Sequence, residues 1–160
     1  MHLEKGEKVL KVYYHHYFPF ITRLIKVFIA TLPFYALLFM FSSGLSFNTI
    51  LFWHILIISL FSLVTLYVTL VYWLDRMVIT NKRVIFIDWK YLTVKAEYEA
   101  ELKDVQDITS KEKGVIALLP IFDYGDIIIK TASNLPTIEF TEAPDPDGIK
   151  KFIHQIIIHP

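Results

Sequence analysis

The chain has 160 residues, 54% of them hydrophobic and 16% aromatic, with a mean hydropathy of +0.46. That is more apolar surface than a water-soluble domain of this size buries, so part of it must face lipid. Formal net charge is zero, without the basic excess that draws a protein to nucleic acid. Cysteine is absent, which excludes disulfide frameworks, zinc–thiolate sites and cysteine nucleophiles.

The charges are unevenly placed. Residues 1–26 carry Lys5, Lys8, Lys11, Arg23 and Lys26 against Glu4 and Glu7, residues 75–160 carry an acidic excess, and Val27–Leu74 carry no charge at all. The N-terminal arm, residues 1–23, includes the run VLKVYYHHYFPF over Val9–Phe20. Aromatic and histidine side chains with little charge suit the headgroup layer of a membrane, so an interfacial arm is predicted.

The 48 uncharged residues are too many for one membrane span and about right for two. Leu24–Phe41 is the first predicted span, with Lys26 at its mouth and Pro33 inside it, a proline that membrane helices tolerate. Ser42–Thr49, with Gly44, is the predicted turn, and Ile50–Leu74 the second span, with Trp53, Tyr72 and Trp73 near its ends. The apolar stretch and the residues before it are longer than those of a cleaved signal peptide. Basic residues flank the hairpin on both sides and none lies in its turn. Both termini are therefore expected in the cytoplasm, the protein being multi-pass in the plasma membrane.

After Leu74 the pattern changes to short apolar runs between turn residues. Met77–Thr80 and Arg83–Asp88 read as a β-hairpin joined at Asn81-Lys82, with a second turn at Trp89-Lys90-Tyr91. Thr93–Leu102 alternates with period two and reads as a half-buried strand, although Val94, Tyr98, Leu102 and Val105 also fit a helical stripe. Further strands are expected within Val105–Ser110, Asp126–Thr131 and Thr137–Thr141, the last two separated by the turn-rich Ala132–Pro136. Gly114–Tyr124, interrupted by Pro120, fits no single element. One helix closes the chain: Asp145 caps it, Pro146 takes its first position, and Ile149, Phe152, Ile153, Ile156 and Ile157 form its apolar stripe. Residues 75–160 thus form one small domain behind the hairpin of residues 24–74.

Strands capped by a C-terminal amphipathic helix give the outline of a pleckstrin-homology-like (PH-like) domain. The chain resembles bacterial PH-domain membrane proteins of the YdbS-like kind, which place two membrane helices before such a domain. The matching stretches are Gly6-Glu7-Lys8-Val9-Leu10, Val78-Ile79-Thr80-Asn81-Lys82-Arg83-Val84-Ile85, Leu102-Lys103-Asp104-Val105-Gln106-Asp107-Ile108, Phe122-Asp123-Tyr124-Gly125-Asp126-Ile127 and Ala143-Pro144-Asp145-Pro146. Asp88-Trp89-Lys90 departs from the family, whose members often have a glycine after the second strand. The resemblance implies an α+β membrane protein: a transmembrane hairpin, then an antiparallel β-barrel or sandwich with a C-terminal helix. It also implies a non-enzymatic module.

By analogy with eukaryotic PH domains, Arg76, Lys82 and Arg83 could contact an anionic headgroup or a partner, each near an anionic surface contributing about 1 kcal/mol. The alternative is that they set topology and line solvated turns. Adjacent His15 and His16 diverge on regular structure, and with His2, His54, His154 and His159 they give no metal-ligand spacing. His54 could pair with Thr31 of the other span or lie near headgroups. Asp104, Asp107, Asp123 and Asp126 could be paired acids, but they fall at expected strand ends and turns, where aspartate caps backbone. The sequence thus predicts a membrane-anchored PH-like module, without cofactor or identified small-molecule substrate, that binds a protein partner or self-associates at the cytoplasmic face. The other readings are an anionic-lipid sensor using Arg76, Lys82 and Arg83 and, less well matched, a small membrane enzyme or transporter subunit. Spans without a carboxylate, arginine or lysine pair argue against this last reading.

Overall fold

A computed structural model of the chain describes residues 3–112, 123–132 and 137–158. Most of Gly114–Tyr124 and of the Ala132–Pro136 connection, and also His2 and His159, lie outside the described residues. The chain divides into two compact units, residues 17–72 and residues 1–16 with 73–160.

The first unit contains α1 (Tyr17–Phe41) and α2 (Phe47–Leu74), linked through a short turn at Ser42–Gly44. Both helices begin earlier than the hydropathy pattern predicts. In α1, Pro19 lies in the first turn, where a missing N–H costs nothing, so the helix takes in Tyr17–Arg23 as well. In α2, the Ser46 hydroxyl accepts the Thr49 N–H at 3.4 Å, capping a start three residues ahead of Ile50. At about 1.5 Å per residue the two helices are roughly 37 and 42 Å long. Aromatic pairs connect them: Phe20 stacks on Tyr72 at 4.6 Å, Phe34 meets Phe61 edge-on at 5.4 Å, and Tyr35 lies 5.5 Å from His54. Thr31 bonds the Phe28 carbonyl within its own helix. Both helices are long and apolar enough to cross a membrane.

The second unit holds two antiparallel sheets and a helix. Sheet order is β1-β2-β3-β4 in one and β5-β6-β7 in the other. The strands are β1 (Val9–Tyr13), β2 (Arg76–Thr80), β3 (Arg83–Tyr91), β4 (Val94–Glu101), β5 (Val105–Glu112), β6 (Tyr124–Thr131) and β7 (Ile138–Pro144), followed by α3 (Pro146–Ile158). Among the described residues, seven strands in two sheets, closed by α3, fit the α+β, PH-like outline.

Two features differ from the sequence expectation. Residues 9–13 are not an interfacial arm: they form β1 and pair with β2 in the register Tyr13↔Met77, Val12↔Val78, Lys11↔Ile79. The β domain therefore begins before the two long helices and not at residue 75. The physical reason is the unpaired edge that β2 would otherwise expose, which β1 covers. Trp89-Lys90-Tyr91 is also no turn. β3 runs through it, and the chain reverses at Leu92-Thr93. The 94–101 segment is a strand, as its period-two pattern implies.

One core unites the sheets and α3. Met77, Ile79, Val84, Phe86, Ile108, Ile127, Ile129, Ile138, Phe140, Ile149 and Ile153 are all buried in it. Full burial of each isoleucine contributes about 1.5–3 kcal/mol. The α3 stripe is the expected one: Ile149 and Ile153 are buried, and Phe152, Ile156 and Ile157 pack beside them. Asp145 caps this helix, its Oδ1 accepting the Gly148 N–H at 2.8 Å. Val78, Ile85 and Ile87 form a smaller cluster with Trp89.

Candidate functional site: the two edges of the four-stranded sheet

Alternation of strand direction sorts the loops of the four-stranded sheet onto two edges. On one edge lie the end of β1, the start of β2 and the β3–β4 turn. Here the chain leaves for α1 after Tyr13 and returns from α2 before Arg76. On the other edge lie the start of β1, the β2–β3 turn and the end of β4. Arg76 is on the first edge, Lys82 and Arg83 on the second. The three cations singled out in the sequence do not converge.

On the second edge the basic side chains are paired. Arg83 donates from Nε to Glu7 Oε1 at 2.9 Å and from a terminal nitrogen to Glu7 Oε2 at 3.0 Å, a two-pronged contact. Its other terminal nitrogen reaches Glu99 Oε2 at 2.6 Å. The Glu7 side chain is 0% exposed and that of Arg83 13%. Glu7 Oε1 also accepts the Thr80 hydroxyl at 2.9 Å, and the same hydroxyl accepts the Lys82 and Arg83 N–H groups, which shapes the turn. The Arg83 hydrogen bond holds the Glu7 carboxyl down at about 2, against the opposing pull of burial, and the same bond raises Arg83. Lys82 Nζ donates to Glu4 Oε2 at 3.1 Å and to the Lys5 carbonyl at 3.2 Å. Asn81 fastens the arm as well: its Oδ1 accepts the Lys8 N–H at 2.8 Å.

A surface hollow of about 650 Å³ opens on this edge. Glu4, Lys82, Glu101 and Lys103 ring it, and Leu102, Ile156 and Ile157 supply its apolar floor. Ile158, just beyond, is 67% exposed. The hollow thus brings side chains of both charge signs beside apolar ones.

At the helix-side edge, His15 Nδ1 lies 2.6 Å from the Thr141 carbonyl and its Nε2 3.5 Å from Asp75 Oδ2. Asp75 Oδ1 accepts the Trp89 N–H at 2.6 Å. Asp75 thus links the chain before α1, the chain after α2 and the extension of β3. Burial, with Asp75 beside it, pushes the Asp88 carboxyl up. His15 stacks on Phe140 at 4.8 Å and His16 on Tyr124 at 5.5 Å, so the adjacent imidazoles serve different partners. Burial lowers the His16 pKa, opposed by Asp123. Among the described residues no group of three His, Cys, Asp or Glu side chains is arranged to hold a metal ion.

The four aspartates take part in separate contacts, Asp126 and Asp107 through their carboxylates, Asp104 and Asp123 through their main-chain carbonyls. Asp126 Oδ1 accepts the Glu142 N–H at 3.2 Å across a bulge in β7, where Glu142 takes a φ of 55°. The Asp104 carbonyl accepts the Ala132 N–H at 2.8 Å and the Asp123 carbonyl that of Asp145 at 3.2 Å. Asp107 accepts the Thr109 hydroxyl at 3.1 Å and lies 3.8 Å from Lys130 Nζ.

No protein-family profile matches the chain, and no curated protein does. Among solved structures it is similar to a DUF1696 family protein with a pleckstrin-homology domain from Shewanella loihica. That likeness has a TM-score of 0.39 at 20% identity and covers 52% of this chain and 70% of the other. The architecture described above rests on this chain's own strand order.

Sequence reasoning missed Glu7 and Glu4 as partners of Arg83 and Lys82. The one available signal was the opening Gly6-Glu7-Lys8-Val9-Leu10, which resembles the start of the PH-like family and so pointed to a segment inside the fold.

Proposed function

We propose that the chain is a non-enzymatic module held in the plasma membrane by α1 and α2, with its PH-like domain and both termini in the cytoplasm. There it binds a protein partner or a second copy through the mixed-charge edge of the four-stranded sheet. The observation that carries this is the position of the helices in the chain. Two apolar helices, with 0% and 11% of their most apolar windows buried, are inserted between neighbouring strands of one sheet. Unburied apolar helices of this length need lipid to satisfy them. Because β1 and β2 pair, the chain on either side of the insertion lies on one side of any bilayer the helices cross. The excess of lysine and arginine flanking the hairpin supports the cytoplasmic side.

The same geometry weighs against a lipid sensor built on Lys82 and Arg83. Both are neutralised by Glu4, Glu7 and Glu99 and lie at the strand ends that do not lead into α1 or out of α2. Glu7 has a strongly displaced pKa but is closed off from solvent by Arg83 and Thr80, which fits a structural role and not acid–base catalysis.

Two measurements test the proposal. The chain lacks native cysteine, so Ser46→Cys and Lys103→Cys variants report sidedness with an impermeant maleimide. Labelling of Ser46→Cys alone on intact cells is expected; labelling of Lys103→Cys from outside rejects the topology. A photo-crosslinking residue at Ile157 should then give a discrete adduct, with a second copy or one partner. Loss of that adduct is expected in Lys103→Glu. If the Ile157 probe gives no adduct, while binding to anionic vesicles depends on Lys82 and Arg83, the lipid-sensing reading replaces this one.

A further inference from the structure

The β3–β4 hairpin is longer than the sheet needs. Arg76, the first residue of β2, pairs with Ile87, but β3 continues for Asp88, Trp89, Lys90 and Tyr91 before it turns back at Val94. At about 3.3 Å per residue, the tip extends roughly 13 Å past the level where α2 joins the sheet. It does so at the edge where the chain leaves for α1 and returns from α2.

Its composition is wrong for water. Two-residue hairpin turns normally hold Asn, Asp or Gly. Here the turn is Leu92-Thr93, flanked by Tyr91 and Val94, and Tyr91, Leu92 and Val94 are 60, 37 and 47% exposed. Single exposed apolar residues are ordinary, but three clustered at one protruding tip are not. Lys90, next to Tyr91, is exposed, and Lys95, next to Val94, pairs with Glu97 at 2.7 Å. Below the tip, Trp89 packs on Val78, Ile85 and Ile87, and its N–H is held by Asp75, so the extension is braced at its base. A tyrosine and aliphatic tip flanked by lysines is the pattern of side chains at a membrane–water interface.

We infer that the β3–β4 tip, Tyr91 and Leu92 with Val94, dips into the interfacial layer of the bilayer, as a third membrane contact beside the two helices. The contact is with a lipid surface and selects no headgroup: along the hairpin and at its base, Arg76, Lys90 and Lys95 are matched in number by Asp75, Asp88 and Glu97. This inference rests on the reading that α1 and α2 cross the membrane. It differs from the headgroup site considered for Lys82 and Arg83, which lie on the opposite edge.

The experiment uses the full chain in lipid nanodiscs with single nitroxide-labelled cysteines at Leu92, Lys82 and Leu60, the last near the middle of α2. Relative accessibility to oxygen and to a water-soluble nickel complex reports depth. The Leu92 label should show an oxygen-to-nickel ratio several-fold above that of the Lys82 label and below that of Leu60. A Leu60 label in lipid with a Leu92 label as water-exposed as Lys82 overturns this inference and leaves the anchoring proposal standing. A Leu60 label in water overturns both. Leu92 lies in the β3–β4 turn outside both core clusters, so Leu92→Cys keeps the core intact.

Discussion

Glu7 and Arg83 are 76 positions apart in the chain and meet at 2.9 Å. One precedes the first long helix and the other follows the second, so this pair closes the β domain around a hairpin insertion. A carboxylate with 0% exposure leaves no water to take over if its partner is lost.

Replacing Glu7 with glutamine or alanine should therefore be costly. Removing one member of a buried pair typically destabilises by about 3–5 kcal/mol, and the residual contacts of Arg83 with Glu99 and Glu4 place this case at the lower end. Thermal unfolding of the full chain in detergent, followed by near-ultraviolet circular dichroism, measures it. A Glu7→Gln variant as stable as the parent would show that the pair is energetically idle.

The same residue predicts a pH dependence. Glu7 titrates near 2 when folded, against an ordinary 4.5. A carboxylate depressed by folding contributes stability that is complete above the unfolded value and lost as pH falls through the folded one. The stability gap between the parent and Glu7→Gln should hold above pH 4.5 and narrow towards pH 2. Denaturant midpoints across that interval read it directly; a gap that is flat with pH contradicts the assignment.

Gly125 lies in the central strand of the three-stranded sheet, opposite Glu112 and Ala143. A β-carbon there would run into the Lys111 carbonyl oxygen and come within 2.9 Å of Glu112 Cα. Both obstacles are backbone, so relief requires the strands to part. Gly125→Ala should cost about 1–3 kcal/mol by overpacking and weaken the β5–β6 ladder, visible as faster amide exchange at Ile127 and Ile129.

Asp145 combines a helix cap with a φ of 46°. Asp145→Ala loses the cap and keeps the strain, a cost of about 1–2 kcal/mol. Asp145→Asn retains an oxygen acceptor and tolerates the left-handed conformation, and should stay within a few tenths of a kcal/mol. Equal losses in both variants, measured by urea unfolding, would point away from capping.

The parts of the fold that were legible in the sequence are those with local causes. The period-two run of 94–101 and the 149–157 stripe with Asp145 ahead of it are determined by neighbours a few residues away, and each forms the element its spacing implies. β1 was not legible. Its partner β2 lies beyond two apolar helices, and no local periodicity within Val9–Tyr13 reports a pairing so distant. The same distance obscured the site. With β1 counted outside the domain, Asn81-Lys82 passes for the first hairpin, whereas the helices themselves fill the first connection, which puts Lys82 and Arg83 on the far edge. Leu92-Thr93 misled for another reason: turn chemistry written for water predicts Asn or Gly, and this turn has neither.

The insertion of α1 and α2 between adjacent strands also orders events during synthesis. β1 is made first, yet Met77, its partner for Tyr13, follows only after both helices. At roughly 5–20 residues per second, the nascent N-terminal strand waits several seconds unpaired. One lysine, Lys11, interrupts the apolar run of Val9–Tyr13, a charge of the kind that disfavours pairing of a lone strand with neighbouring chains.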